Sequence, residues 1–299
     1  NTLVINALRK WGNPEQHARY FPRLATEMVS AYALSESSSG SDAFALRCRA
    51  EKDGDDWVLT GNKLWITNAQ EAGIYAVFAT VDKELKHRGI TCFLVEKEPG
   101  ESCEGISVSR KIDKLGYRGL ETVEMSYVDH RVPNANVLGG DDGIGQGRRY
   151  ALSALELGRI NIAARAVGVA QAAFEAAMRY AQQRETFGRP IAQHQAIQFM
   201  LADMATEVHA ARLATRHAAV LKDEGEPFLS EASMAKLLAS EMCVNVSSKC
   251  LQIHGGIGYF QETGVERIFR DARVTTIYEG TSEIQRLVIA RQVLAQYPL

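Results

Sequence analysis

The segment Tyr278-Glu279-Gly280-Thr281-Ser282 sets one carboxylate on a tight loop just ahead of a helix start. A carboxylate on a rigid turn, beside a glycine, can serve as a general base if its pKa suits the working pH; most loop acids are simply solvated. His254-Gly255-Gly256-Ile257-Gly258-Tyr259 crowds three glycines at a helix end. A C-cap explains one of them, so the others point to close approach of a ligand or partner to the backbone. Ser35-Glu36-Ser37-Ser38-Ser39-Gly40-Ser41-Asp42 is a run of small hydroxyl residues. Its amides and hydroxyls can hold phosphate or ring heteroatoms, and taken alone it reads equally as a surface loop. Trp65-Ile66-Thr67-Asn68 puts an aromatic and a hydroxyl two residues apart, on one face of a strand. That pair suits an aromatic cofactor, although a strand tryptophan more often belongs to a core.

Other chemistries find no support. Gly143-Ile144-Gly145-Gln146-Gly147 has the wrong glycine spacing for a dinucleotide fingerprint and reads as a linker ahead of a long helix. The seven histidines form no H-E-x-x-H and no Cys/His cluster, and His209 and His217 are too far apart to share a metal, so no metal is expected. No G-x-S-x-G elbow is present, which disfavours a hydrolase. Charges nearly cancel, with 34 Lys+Arg against 36 Asp+Glu and no block of five like charges, so neither nucleic acid nor an anionic membrane is an expected partner. The five cysteines (Cys48, Cys92, Cys103, Cys243, Cys250) make no C-x-x-C pair, and the plain reading is a reduced, intracellular protein. No apolar run approaches the roughly 20 residues of a membrane span.

Periodicity gives the elements that must carry these residues. Residues 3–26 show helical spacing, with Leu3, Ala7 and Leu8 before a Gly12-Asn13-Pro14 stop and His17, Tyr20, Phe21 and Leu24 after it. Residues 45–128 read as short strands. Leu46, Cys48 and Ala50 alternate with polar residues as far as Asp53-Gly54, residues 58–59 and 64–66 flank Gly61-Asn62 as a two-residue hairpin, and apolar runs follow at 75–80, 90–95 and 122–128. Strands so closely spaced, with no helix between them, imply a small antiparallel barrel or sandwich. Beyond the Gly- and Asp-rich stretch 139–143 the chain turns helical. Ile160, Ala163, Val167, Ala170, Phe174, Ala177 and Ala181 step by threes and fours, as do Ile197, Met200, Met204, Val208 and Ala211, and Ala235, Leu238, Met242 and Val246. Ser282-Glu283-Ile284-Gln285 reads as a capping box opening a last helix through Leu294. The fold class is therefore mainly α with a central β domain: N-terminal helices, an antiparallel β-barrel and a C-terminal four-helix bundle.

In this order and on this architecture, the motifs resemble those of the acyl-CoA dehydrogenases. The resemblance rests on Tyr32-Ala33-Leu34-Ser35-Glu36 through Gly40-Ser41-Asp42, on Trp65-Ile66-Thr67, and on Arg184-Glu185-Thr186-Phe187-Gly188 with His194-Gln195. Gln252-Ile253-His254-Gly255-Gly256 and Ile277-Tyr278-Glu279-Gly280-Thr281-Ser282 complete it, and it covers essentially the whole chain. The β stretch looks most like the short/branched-chain enzymes, and the ending through Arg286-Leu287-Val288-Ile289-Ala290 like the short-chain ones. Against the family, residues 1–33 look like the remnant of an N-terminal helical domain, 34–138 like the β-barrel domain and 139–299 like the bundle; the chain is expected to be N-terminally truncated.

The resemblance implies FAD-dependent α,β-dehydrogenation of a short or branched-chain acyl-CoA, with electrons passing to electron-transfer flavoprotein. Glu279 would be the base, lifted towards working pH by burial, and its N–H with a flavin ribityl hydroxyl would polarise the thioester carbonyl. Tyr32, Ala33, Leu34, Ser35, Ser41, Trp65, Ile66 and Thr67 would line the isoalloxazine and ribityl chain, with Thr67 near N5. Arg184, Phe187, Gln195, Gln252, Ile253, His254, Gly255 and Gly256 would serve the pyrophosphate and adenosine of the FAD in a neighbouring subunit, while Thr281 and Glu283 touch the same subunit's FAD. Ser41, Glu156, Arg159 and Gly280 would contact CoA and the thioester. A shared cofactor implies a homo-oligomer, a dimer of dimers. Ser37 and Ser39 stand where the family often has Pro and Ala, which predicts a looser loop. Gly158 occupies the position from which isovaleryl-type relatives supply the base, and a glycine there leaves that role to Glu279. An oxidase or flavin monooxygenase on the same fold, and a non-catalytic partner subunit, are the alternatives. Bacterial cytoplasm and mitochondrial matrix both suit the cysteine usage.

Overall fold

The computed structural model describes residues 1–100 and 102–297; Glu101 of the expected β domain and the last two residues of the expected bundle lie outside it. The chain divides into two compact units, Asn1–Lys114 with Arg118–Leu155, and Leu115–Tyr117 with Glu156 onward.

In the first unit, α1 (Thr2–Trp11) and α2 (Pro14–Thr26) are separated at the expected stop. Asn13 caps α2 reciprocally: its side chain accepts from the Gln16 N–H at 2.9 Å while Gln16 accepts from the Asn13 N–H, and Pro14 takes the first helical position. Seven strands follow: β1 (Val29–Ala33), β2 (Arg49–Asp53), β3 (Asp56–Thr67), β4 (Ala72–Thr80), β5 (Ile90–Glu96), β6 (Ile106–Val108) and β7 (Thr122–Pro133). They form one curled sheet in the order β1-β4-β2-β3-β7-β6, with β5 also on β4. Pairing is antiparallel except where β1, and one residue of β2, run parallel to β4. Every residue of β4 is buried because its two faces feed two cores. Tyr75, Val77 and Ala79 join Trp57 and Phe93 inside the sheet, while Ile74, Ala76 and Phe78 pack with Val4, Leu8 and Tyr20 of the helices.

The hairpin expected at Gly61-Asn62 is not one. Strand β3 runs straight through it, and the chain reverses instead at Gly54, where φ is 62° and Asp53 pairs with Asp56. Gly61 serves packing: a Cβ there would lie 2.6 Å from the Cα of Cys48, beside a register shift against β7.

In the second unit α3 (Gly147–Gln183, its first residues counted with the first unit) leads into the hairpin β8 (Glu185–Thr186) and β9 (Arg189–Pro190). Then come α4 (Gln195–Glu224), α5 (Leu229–His254), the short α6 (Val265–Ala272) and α7 (Ser282–Gln296). The core is rich in alanine, with Ala163, Ala166, Ala170, Ala177, Ala232 and Ala239 letting the long helices approach closely. The cap of α7 falls one residue before the expected box. Thr281 accepts from the Ile284 N–H at 3.3 Å, Ser282 is the first helical residue and buried, and Gln285 turns away to bond the preceding loop.

Candidate active site

Glu279 sits in the second unit, in the loop between the turn after α6 and α7. Its φ is 52°, a left-handed conformation unusual for a residue with a side chain, and Gly280 follows at 91°. Two helices hold this loop. From α7, Gln285 Nε2 donates to the carbonyl oxygens of Glu279 at 3.2 Å and Gly280 at 3.0 Å. From α5, Lys236 Nζ donates to the Gly280 carbonyl at 2.9 Å. A Cβ on residue 280 would lie 2.6 Å from Gln285 Nε2 and would have to push that amide aside, and the positive φ favours glycine there.

The charges around Glu279 decide its chemistry. Burial pushes its carboxyl up from 4.5 to about 7, against the pull of Arg165, Lys236 and Arg159. Among the described residues its buried Oε2 has no hydrogen-bond partner. Lys236 is pushed down to about 8 by burial, opposed chiefly by Glu279. Arg159 is buried, donates to Ser233 Oγ at 3.2 Å, and its Nε has no partner among the described residues; burial lowers its pKa, with Glu156 one helical turn back opposing. Arg165 lies with its guanidinium carbon 5.9 Å from the centre of the Tyr117 ring, which meets the Tyr278 ring edge-on at 6.5 Å. The outcome is a carboxyl poised to exchange a proton near neutrality.

Also in the second unit, Arg184, Phe187 and Gln195 are exposed, with Phe187 (φ 52°) 96% exposed at the tip of the β8–β9 hairpin. At the end of α5, Gln252, Gly255 and Gly256 face outward, and nothing lies within 4 Å of where a Cβ would sit on either glycine. Ile253 is in the core. His254 is buried, stacked on Tyr180 at 4.3 Å with Nδ1 2.8 Å from the Cys250 carbonyl, and this contact joins the end of α3 to the end of α5. Thr281 is the α7 cap, while Glu283 is exposed on the first turn.

In the first unit, Tyr32, Ala33, Leu34 and Ser35 leave β1 beside Trp65, Ile66 and Thr67, joined by the Leu64 N–H to Ser35 carbonyl bond at 2.9 Å. Ala33, Leu34 and Ile66 are buried, whereas Trp65 is 58% exposed, so it is not the core tryptophan of the plain reading. Ser41 is exposed in a loop whose base is closed by buried Glu36, which accepts from the Arg47 and Cys48 N–H groups at 2.6 and 3.0 Å and pairs with buried Lys63 at 2.7 Å.

Residues 31–130 match the family described as "Acyl-CoA dehydrogenase, middle domain" and residues 145–294 the "Acyl-CoA dehydrogenase, C-terminal domain". The rat short/branched chain specific acyl-CoA dehydrogenase, mitochondrial, is 44% identical over 297 residues, 99% of this chain and 67% of that protein. The chain belongs to the acyl-CoA dehydrogenase family. Human short-chain specific acyl-CoA dehydrogenase, mitochondrial, is 46% identical over 99% of this chain and 71% of its own. The structure of butyryl-CoA dehydrogenase from Megasphaera elsdenii superposes with a TM-score of 0.93 at 38% identity, over 98% of this chain and 75% of that one. The chain accordingly has the N-terminal helices, β domain and C-terminal helical bundle expected from its periodicity. Around Glu279, sequence reading missed Lys236, Gln285, Arg165 and Tyr278. For Lys236 a signal existed: it falls on the buried stripe of α5 with Ala232, Ala239 and Cys243, where a solvated lysine does not belong.

Proposed function

We propose that this chain oxidises a short or branched-chain acyl-CoA thioester to its trans-2-enoyl form, with Glu279 as the base that removes the α-proton. The observation that carries this is the Glu279 carboxyl, raised to about 7 by burial and unbonded at Oε2. A thioester α-C–H is a weak acid, so its removal needs a base matched to neutral pH and a donor for the charge that builds on the carbonyl oxygen. The Glu279 N–H, which bonds no acceptor among the described residues, suits that donor role.

The residues fit FAD. Exposed Trp65 beside the β1 end offers a flat apolar surface with Thr67 as a polar neighbour, and the open faces of Gly255 and Gly256 let a ligand reach the backbone. In this reading Tyr32–Ser35 and Trp65–Thr67 hold the ring system, and Arg184, Phe187, Gln195 and Gln252 hold phosphate and adenosine. By family resemblance that second set serves a neighbouring subunit in a dimer of dimers, and electron-transfer flavoprotein takes the electrons. When bound, FAD supplies the acceptor for the β-hydride. Glu279 takes the α-proton on its carboxylate, and its backbone N–H steadies the carbonyl. Ser41, Glu156, Arg159 and Gly280 are the proposed substrate contacts.

Anaerobic mixing of the purified yellow protein with an acyl-CoA panel tests this. Short straight or methyl-branched acyl-CoAs are expected to bleach the flavin. A colourless protein that takes up no FAD would instead be a non-catalytic partner subunit.

A further inference from the structure

Lys236 is fully buried on α5, and among the described residues its ammonium hydrogen-bonds only the Gly280 carbonyl. Burying a lysine against a backbone carbonyl rather than a carboxylate is costly, so the group needs a reason to be there. The groups facing it are Glu279 from the loop, Arg159 from α3, Glu283 from α7 and Glu241 from its own helix. Glu279 itself is faced by Arg165 and Arg159 of α3 besides Lys236.

We propose that Lys236 is a positioning residue for proton abstraction: with Gln285 it ties the carbonyls of the base loop inward, so that the Glu279 N–H faces the thioester oxygen. This rests on Glu279 being the base. The geometry follows from the backbone. Glu279 is held at φ 52°, and its carbonyl is tied to Gln285. Its N–H bonds no acceptor among the described residues. The next carbonyl, that of Gly280, accepts from both Gln285 and Lys236. Only the lysine brings a charge, and it strengthens its bond inside a dry site. That charge also opposes the burial that raises Glu279, so one side chain orients the donor and tempers the base.

The test compares Lys236→Met, which keeps the length and loses the donor and charge, with Lys236→Arg, which keeps the charge. Both are assayed as holoenzyme for acyl-CoA-dependent flavin reduction across pH, and for the carbonyl stretch of a bound acyl-CoA carrying 13C at the thioester carbon. For Lys236→Met, kcat is expected to fall about 10²-fold with KM changed less than about threefold, the loss of a contact made mainly in the transition state. The limb set by the base should rise by about one pH unit, and the carbonyl stretch should return towards its value in water. Lys236→Arg should leave the limb in place. Wild-type kcat, limb and carbonyl stretch in Lys236→Met would overturn the proposal. Glu279→Gln is run alongside: if it reduces flavin at full speed, the base assignment fails first and the proposal with it. If Lys236→Met does not fold, 13C-lysine NMR of the wild-type protein decides. A Lys236 signal near pH 8, coupled to Glu279, supports the proposal, and one at the ordinary lysine value overturns it.

Discussion

Gln285 donates one amide group to the Glu279 and Gly280 carbonyls, at 3.2 and 3.0 Å, so the loop that carries the proposed base is fastened by the helix that follows it. The same contact leaves no room for a side chain on residue 280. Gly280→Ala must displace the Gln285 amide and hold alanine at positive φ, and is expected to cost about 2 kcal/mol or more. Thermal melts should register that loss, together with a drop in flavin reduction larger than the loss of folded protein.

As the proposed base, Glu279 should make stability and activity depend on pH in opposite senses. Its folded pKa of about 7 lies above the ordinary 4.5, so the folded state holds the proton more tightly. The stabilisation is complete below about 4.5 and is lost as pH rises through about 7, on the order of 2 kcal/mol after allowance for partial exposure. Glu279→Gln is therefore expected to be more stable than wild type at pH 8 and indistinguishable near pH 4.5. Chemical denaturation at the two pH values checks this. Activity runs the other way, rising through pH 7 as the carboxylate forms.

Arg165 is the foremost of the cations holding the Glu279 pKa down, ahead of Lys236 and Arg159. In Arg165→Gln the base limb of the pH–rate profile is expected to move up by about one unit, with activity at pH 8.5 largely retained. An unmoved limb would show that this guanidinium does not reach the carboxyl.

Glu36 and Lys63 form a buried pair that shuts the base of the loop carrying Ser41. Glu36→Gln leaves a buried ammonium uncompensated and is expected to cost about 3–5 kcal/mol, whereas Glu36→Gln with Lys63→Met removes both charges, keeps an acceptor for the Arg47 and Cys48 N–H groups, and should recover much of that loss. Urea unfolding of the single and double variants measures the difference, and flavin content should follow the single variant down.

Much of this was legible in the sequence, for physical reasons that can be named. Helix boundaries showed where a stop had chemistry of its own, as at Gly12-Asn13-Pro14. Glu279 stood out as a carboxylate beside glycine on a short loop, and it was the family resemblance that made it the proposed base. What failed was what long-range packing decides. Gly61 looks like a turn residue, but its partner is Cys48, thirteen positions earlier. Ser282 looks like a cap, yet Thr281 takes that place and frees Gln285 to bond backwards. Lys236 carries no loop or motif signal, only its place on the apolar stripe of α5, and the carbonyl it bonds lies forty-four residues away.

The most direct measurement is anaerobic mixing of Glu279→Gln holoenzyme with a short acyl-CoA, following both ligand binding and flavin bleaching. Binding should persist, since the amide keeps the shape, while the bleaching rate falls by about 10⁴-fold, at the upper end of what general base catalysis supplies. Bleaching of Glu279→Gln at the wild-type rate would contradict the assignment of Glu279 as the base.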